Sequence, residues 1–216
     1  MKKIIIALFA VALPFVMQAQ SEGLFGRKTP KGAKADLSAY AAKGAVPEEN
    51  GKVVFKDVIM ASGQTKSDIF TKVAQWASLR YEPNSAMGIY TDANFFKNLE
   101  YAKVKTADKQ NGTIQCQGAE EMVFSSKPLA KNYTQAFYLL DLKVEDGKVE
   151  FNLHTISYNV DMGEGKFTRV NAEEWITDKE SLNKKGQLMR IPRNYRVKTI
   201  DLVTELKKEI SEAINH

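Results

Sequence analysis

Asp146-Gly147 stands between two runs of alternating hydrophobicity, Thr134–Glu145 and Lys148–Tyr158. A dipeptide of this kind between two strands is a strong two-residue hairpin signal and predicts a type I′ turn. Counting outward from it places Glu145 opposite Lys148, Val144 opposite Val149, Lys143 opposite Glu150 and Leu142 opposite Phe151. One face of the hairpin is then apolar and the other carries opposite-charge pairs, which supports that register. The apolar parity changes after Leu153, because Ile156, Tyr158 and Val160 continue on the other phase. An extra residue near His154-Thr155 would produce that change, so a β-bulge is expected there.

The rest of the chain supplies partners for this hairpin. Val53–Ile59 is rich in β-branched residues and lies between Gly51 and Gly63, so it reads as a strand. Thr65-Lys66-Ser67-Asp68 has the form of a capping box, and Ile69, Val73, Trp76 and Ala77 follow at helical spacing. A helix to about Tyr81 is expected, with Pro83 as its stop. Tyr101–Ala107 and Thr113–Gly118 flank a turn at Asn111-Gly112. Met122-Val123-Phe124 reads as a short strand or an extension of the one before it. Asn171-Ala172-Glu173-Glu174 reads as a helix start and Gly186 as its stop. Val203, Leu206, Ile210 and Ala213 form an apolar stripe in a C-terminal helix, with Lys208 and Glu212 paired across one turn. The expected fold class is α+β. An antiparallel sheet has a long helix after its first strand and a C-terminal helix, packed on one face.

The N-terminus speaks to location. Met1-Lys2-Lys3 is basic, Ile4–Val16 is apolar apart from Pro14, and a small residue, Ala19, precedes a polar stretch. This is the pattern of a secretory signal peptide over residues 1–19. Its core falls short of the ~20 apolar residues of a membrane-spanning helix. Cleavage after Ala19 lowers the net charge from +5 to +3, too weak a balance to imply nucleic acid or an anionic membrane by itself. Cys116 is the only cysteine. The exported chain therefore has no internal disulfide, and no cysteine stands at the cut for a lipid anchor. Periplasmic or secreted localisation is expected, without a lipoprotein anchor and with no transmembrane span after signal removal. Residues 20–50, rich in Gly, Ala, Lys and Ser, read as a flexible leader, and residues 51–216 as a single domain.

Several stretches resemble a known family. They are Gly44-Ala45-Val46-Pro47 with Gly51-Lys52-Val53-Val54-Phe55, and the helix carrying Trp76. The most specific are Glu173-Glu174-Trp175-Ile176-Thr177-Asp178-Lys179 with Leu182-Asn183-Lys184-Lys185, and Arg196-Val197-Lys198-Thr199-Ile200-Asp201. From about residue 40 to 205 the chain resembles the exported proteins, mainly of Bacteroidetes, that carry domain of unknown function 4468. The resemblance implies a TBP-like fold, in agreement with the element order read above. It implies no activity and transfers no functional residue.

Candidate chemistry is sparse. His154 is the only internal histidine, and a histidine base needs an orienting acid or a nucleophile nearby; the plainer role is a bulge or surface histidine. Cys116, between Gln115 and Gln117, reads as a buried inert thiol. Glu173, Glu174 and Asp178 could act as acid–base carboxylates, but first-turn acids also favour a helix N-terminus. Two histidines and one cysteine make a poor structural zinc set, and no metal or cofactor is expected.

One charge anomaly remains. Lys184, Lys185, Arg190, Arg193, Arg196 and Lys198 fall in one acid-free stretch around Tyr195 and Pro192. This stretch is the candidate ligand-binding segment, suited to phosphates, acidic glycans or lipid headgroups. Its plainer role is a solvated connector before the last helix. The leading expectation is a non-catalytic exported module of the cell envelope that binds an envelope protein or anionic glycan through its sheet face or this segment. The alternatives are a hydrolase using carboxylates or His154, and a binder of anionic polymers. Nucleic acid is not expected, because fold does not carry function and an exported protein has little access to a chromosome.

Overall fold

A computed structural model describes residues 36–81, 102–127, 130–162 and 166–216. The expected signal peptide, the leader up to residue 35, Tyr101 and Pro83 lie outside them. The elements are α1 (Ser38–Ala41), β1 (Glu48–Glu49), β2 (Lys52–Met60), α2 (Lys66–Tyr81), β3 (Lys103–Asp108), β4 (Thr113–Lys127), β5 (Ala130–Glu145), β6 (Lys148–Asp161) and β7 (Phe167–Asn171). A 3-10 turn (Ala172–Glu174), a short α3 (Asp178–Ser181) and a long α4 (Pro192–Asn215) follow.

The antiparallel sheet runs β1-β2-β6-β5-β4-β3, with β7 also paired to β6. The β5–β6 register is the one the charge and apolar pairs demand: Glu145 with Lys148, Val144 with Val149, Lys143 with Glu150, Leu142 with Phe151. Val144, Val149, Phe151 and Leu153 are fully covered. They face α2, which buries Ile69, Phe70, Val73 and Ala77, and α4, which buries Leu202, Leu206, Ile210 and Ile214. Both helices therefore close one face of the sheet, and the other face is largely polar apart from a small buried cluster of Ala102, Ala119 and Phe137. Gly118 is part of this closure, since a Cβ there would lie 2.1 Å from the Tyr138 ring. That ring crosses β4 so that its hydroxyl meets Tyr81 at 3.1 Å and Glu120 at 2.9 Å.

α2 begins as expected, with Thr65 Oγ1 accepting from Asp68 N–H at 3.3 Å and donating to the Asp68 carboxylate at 2.8 Å. The outer edge of β2 is blocked against further strand pairing. Asp57 accepts from the Val58 N–H at 2.8 Å, and Asn215 Nδ2 donates to the Met60 carbonyl at 3.3 Å. Cys116 is fully buried, and that burial pushes its thiol up to about 12.

Four expectations are corrected. The Asp146-Gly147 turn is not type I′, because only Gly147 has a positive φ, +75°. One left-handed residue at the second central position fits type II. Tertiary contacts impose it: Asp146 Oδ1 accepts from Lys66 N–H, Gly147 N–H donates to the Gln64 carbonyl, and Ala61 N–H donates to Gly147. The I′ pattern occurs instead at Asn50-Gly51, φ +51° and +74°, between β1 and β2.

No single helix runs from 171 to 186. Trp175 leaves the helical region after the 3-10 turn. Thr177 then starts α3, its hydroxyl accepting from Glu180 N–H at 3.4 Å. Pro192 opens α4, so the second half of the basic stretch is helix rather than connector, and a helix start has no use for the N–H that proline lacks.

The leader expected over residues 20–50 is built into the domain from α1 onward, within the unit Leu37–His216. Val46 is buried in the core, Tyr40 donates to Asp201 at 2.6 Å, and Gly44 N–H donates to Asp178 at 2.7 Å. The segment docks through single side chains, Val46 and Tyr40, and through backbone groups, so its lack of an apolar period hid the docking.

Candidate functional site

Strand β6 changes partner along one edge. β2 pairs with Lys148–His154, and β7 pairs with Ser157–Asp161. Thr155 and Ile156 lie between the two. On the β5 side the register shifts between Phe137 and Leu139, so β6 carries the extra residue expected at His154-Thr155. Thr155 absorbs it with φ +54°. A β-branched residue in that region is a true outlier, with a cost on the order of 1–3 kcal/mol.

Where β2 and β7 part, a groove of about 500 Å³ opens on the uncovered face. Glu49, Lys52 and Lys56 form one side, Asn171 and Glu173 the other, and His154 with Asp141 lies along β6 and β5. Val53 N–H would be left without a strand at this fork. Glu173 Oε1 accepts from it at 3.0 Å, standing in for the missing strand carbonyl.

The polar groups of the groove are held in place by one another. Asp141 Oδ1 accepts from Gln115 Nε2 at 2.7 Å, and its Oδ2 lies 2.9 Å from His154 Nε2. An ionised carboxylate only accepts, which places the imidazole proton on Nε2. In the neutral ring Nδ1 is then an acceptor, positioned to take a hydrogen bond from the Thr155 hydroxyl 2.8 Å away. Hydroxyl, imidazole and carboxylate form a line in the order of a nucleophile, a base and an orienting acid. Yet both imidazole nitrogens are already engaged inside the protein, and so is the Glu173 carboxylate. Asn152 also lines the groove, and its Oδ1 is buried without a hydrogen-bond partner. An acceptor in that condition costs about 1–3 kcal/mol.

The sequence-derived candidates are dispersed. Glu173 bonds to β2, Glu174 accepts from Asn171 Nδ2 at 3.0 Å, and Asp178 lies 2.8 Å from Arg196 Nη2. They form no acid–base set. None of the six basic candidates lines the groove. Arg196 is 0% exposed. Its Nε and Nη2 donate to the carbonyls of Tyr40 and Ala42, and its Nη1 to the Ile176 carbonyl and Ser181 Oγ. It is a clamp on the N-terminal segment, because a guanidinium carries five donors in a fixed fork. Lys184, Lys185 and Arg190 are exposed on the loop before α4, while Arg193 and Lys198 are half-buried on the helix.

The parity change after Leu153 was the sequence signal for the bulge that opens the groove. β7, which forms one of its sides, was missed, since all of Phe167–Asn171 is exposed except a half-buried Val170, which leaves no apolar phase to read. Asn50-Gly51 was a legible hairpin signal that places Glu49 beside Lys52.

Residues 55–159 match the family model described as a domain of unknown function, DUF4468, with a TBP-like fold. The motif stretches at 173–185 and 196–201 lie outside that match. Two solved structures share the fold. A DUF4468 family protein from Bacteroides ovatus is 29% identical, with a TM-score of 0.70, over 85% of this chain and 97% of that one. A TBP-like protein from Parabacteroides distasonis is 21% identical, with a TM-score of 0.62, over 79% and 97%. No curated protein matches the chain.

Proposed function

We propose that this chain, which carries a DUF4468 domain over residues 55–159, is an exported, non-catalytic binding module of the cell envelope. On this reading the groove between β2 and β7 takes a polar segment of the partner. The observation that carries the reading is Thr155 at φ +54° beside His154 in the groove wall. Strain of this kind persists where the surrounding structure over-determines it, and it gathers at binding and active sites. Asn152 and Asn171 add polar side chains to the lining, and Lys52 and Lys56 add cations at the rim. Export rests on the signal-peptide pattern of residues 1–19.

The test is amide chemical-shift mapping of the purified protein against panels of envelope glycans and peptides. Shifts clustering at Lys52, Asn152, Thr155 and Asn171, and lost in Asn152→Leu, are expected. Shifts clustering on the helix-covered side, or no perturbation by any panel member, would overturn the reading.

The hydroxyl–imidazole–carboxylate line favours a second reading, an acyl-transfer hydrolase. Thr155 Oγ1 would attack an ester carbonyl while His154 Nδ1 takes its proton; the ester C–O bond would break and the alcohol would leave with that proton. Water, giving a proton to His154, would then attack the acyl-threonine and release the acid, and the proton would return to Thr155 Oγ1. Turnover of p-nitrophenyl acetate that disappears in Thr155→Val would support it. Turnover no faster than the buffer rate would reject it.

A further inference from the structure

We propose that the lobe from Leu182 to Arg193 seats the protein on an anionic lipid bilayer, with Ile191 and Met189 entering the headgroup layer. The lobe is rigid. A bridge between Leu182 and Leu188 closes it, and the Asn183 side chain accepts from the Lys185 and Gln187 N–H groups at 2.8 and 3.0 Å. Its base is fixed from inside, since Ser181 accepts Met189 N–H through its carbonyl and Arg196 through its hydroxyl. The buried arginine thus builds the platform on which the outer cations stand.

The bridge folds Lys184 and Lys185 back into the same lobe as Met189-Arg190-Ile191. Ile191 is 66% exposed and Met189 37% exposed. No acid occurs between Ser181 and Ile200. The flanking acids are committed elsewhere: Glu180 to Lys179 at 3.0 Å, Asp178 to Arg196, and Asp201 to Tyr40. The lobe therefore presents cations around an exposed isoleucine with no competing carboxylate in its own stretch.

A soluble polyanion would use only the charges and would leave Ile191 in water. A bilayer uses both. Anionic headgroups attract the lysines and arginines, and the aliphatic side chains reach the acyl boundary. The combination of charge and exposed apolar surface selects the bilayer over a free acidic glycan. The groove lies elsewhere on the protein, so this inference does not depend on its ligand.

The experiment is co-sedimentation of the full exported chain with phosphatidylcholine vesicles, with and without phosphatidylglycerol, at low and high salt. Binding is expected only with phosphatidylglycerol, and it should weaken at high salt. Lys184→Glu with Lys185→Glu should abolish it. Ile191→Ser, at an exposed position that leaves the fold intact, should lower partitioning roughly tenfold. Met189→Ser gives a second, independent reading of the same contact. Absence of binding to phosphatidylglycerol vesicles overturns the proposal. So does binding that is unchanged in both serine variants and is competed away by a soluble polyanion, which would make the lobe a polyanion site.

Discussion

From Lys148 to Leu153, strand β6 is paired on both edges without interruption, and each core-facing side chain is covered. From His154 to Ser157 the same strand changes partner, bulges and holds a threonine at positive φ. The first half is built from residues whose local preference agrees with the sheet. The second half departs from that agreement and is where the groove opens. Consistency across levels specifies a fold, and local violations mark the places where something else is being stabilised. The two halves thus separate what makes this chain fold from what gives it a surface to use.

The comparison breaks most sharply at Phe151. It is 1% exposed and faces the helix layer, so Phe151→Ala should cost about 3–5 kcal/mol in urea denaturation. A loss under ~1 kcal/mol would mean that the regular half is not the anchor of the core. Gly147 sharpens the same half with a smaller effect. A Cβ there meets nothing within 4 Å, yet the residue sits at φ +75°. Gly147→Ala should therefore cost about 1–2 kcal/mol through the backbone alone. An unchanged unfolding midpoint would show that the turn can change type freely.

The regular half was legible because its information is local. A turn dipeptide and alternating side chains fix the β5–β6 register residue by residue, and the parity change announced the bulge at His154-Thr155. The turn type was not legible, because the loop from Ala61 to Lys66 decides it through three hydrogen bonds. The role of Arg196 was hidden for a related reason. In sequence it is one more cation in a basic stretch, and only the fold brings four backbone and side-chain acceptors around it. The groove combines Asp141, His154, Lys52 and Glu173, which are far apart in the chain and meet only where β2 and β7 fork. Of these, His154 and Glu173 stood out beforehand as candidate chemistry, and neither could be given its partner.

The irregular half of β6 holds strain at Thr155 that the fold alone does not require. Urea denaturation of Thr155→Gly against Thr155→Ala tests it most directly. Both variants remove the hydroxyl that donates to His154, and only glycine relieves the positive φ. Glycine should be more stable than alanine by about 1 kcal/mol, the reverse of the order at an ordinary strand position. Alanine equal to or more stable than glycine would mean that Thr155 carries no backbone strain.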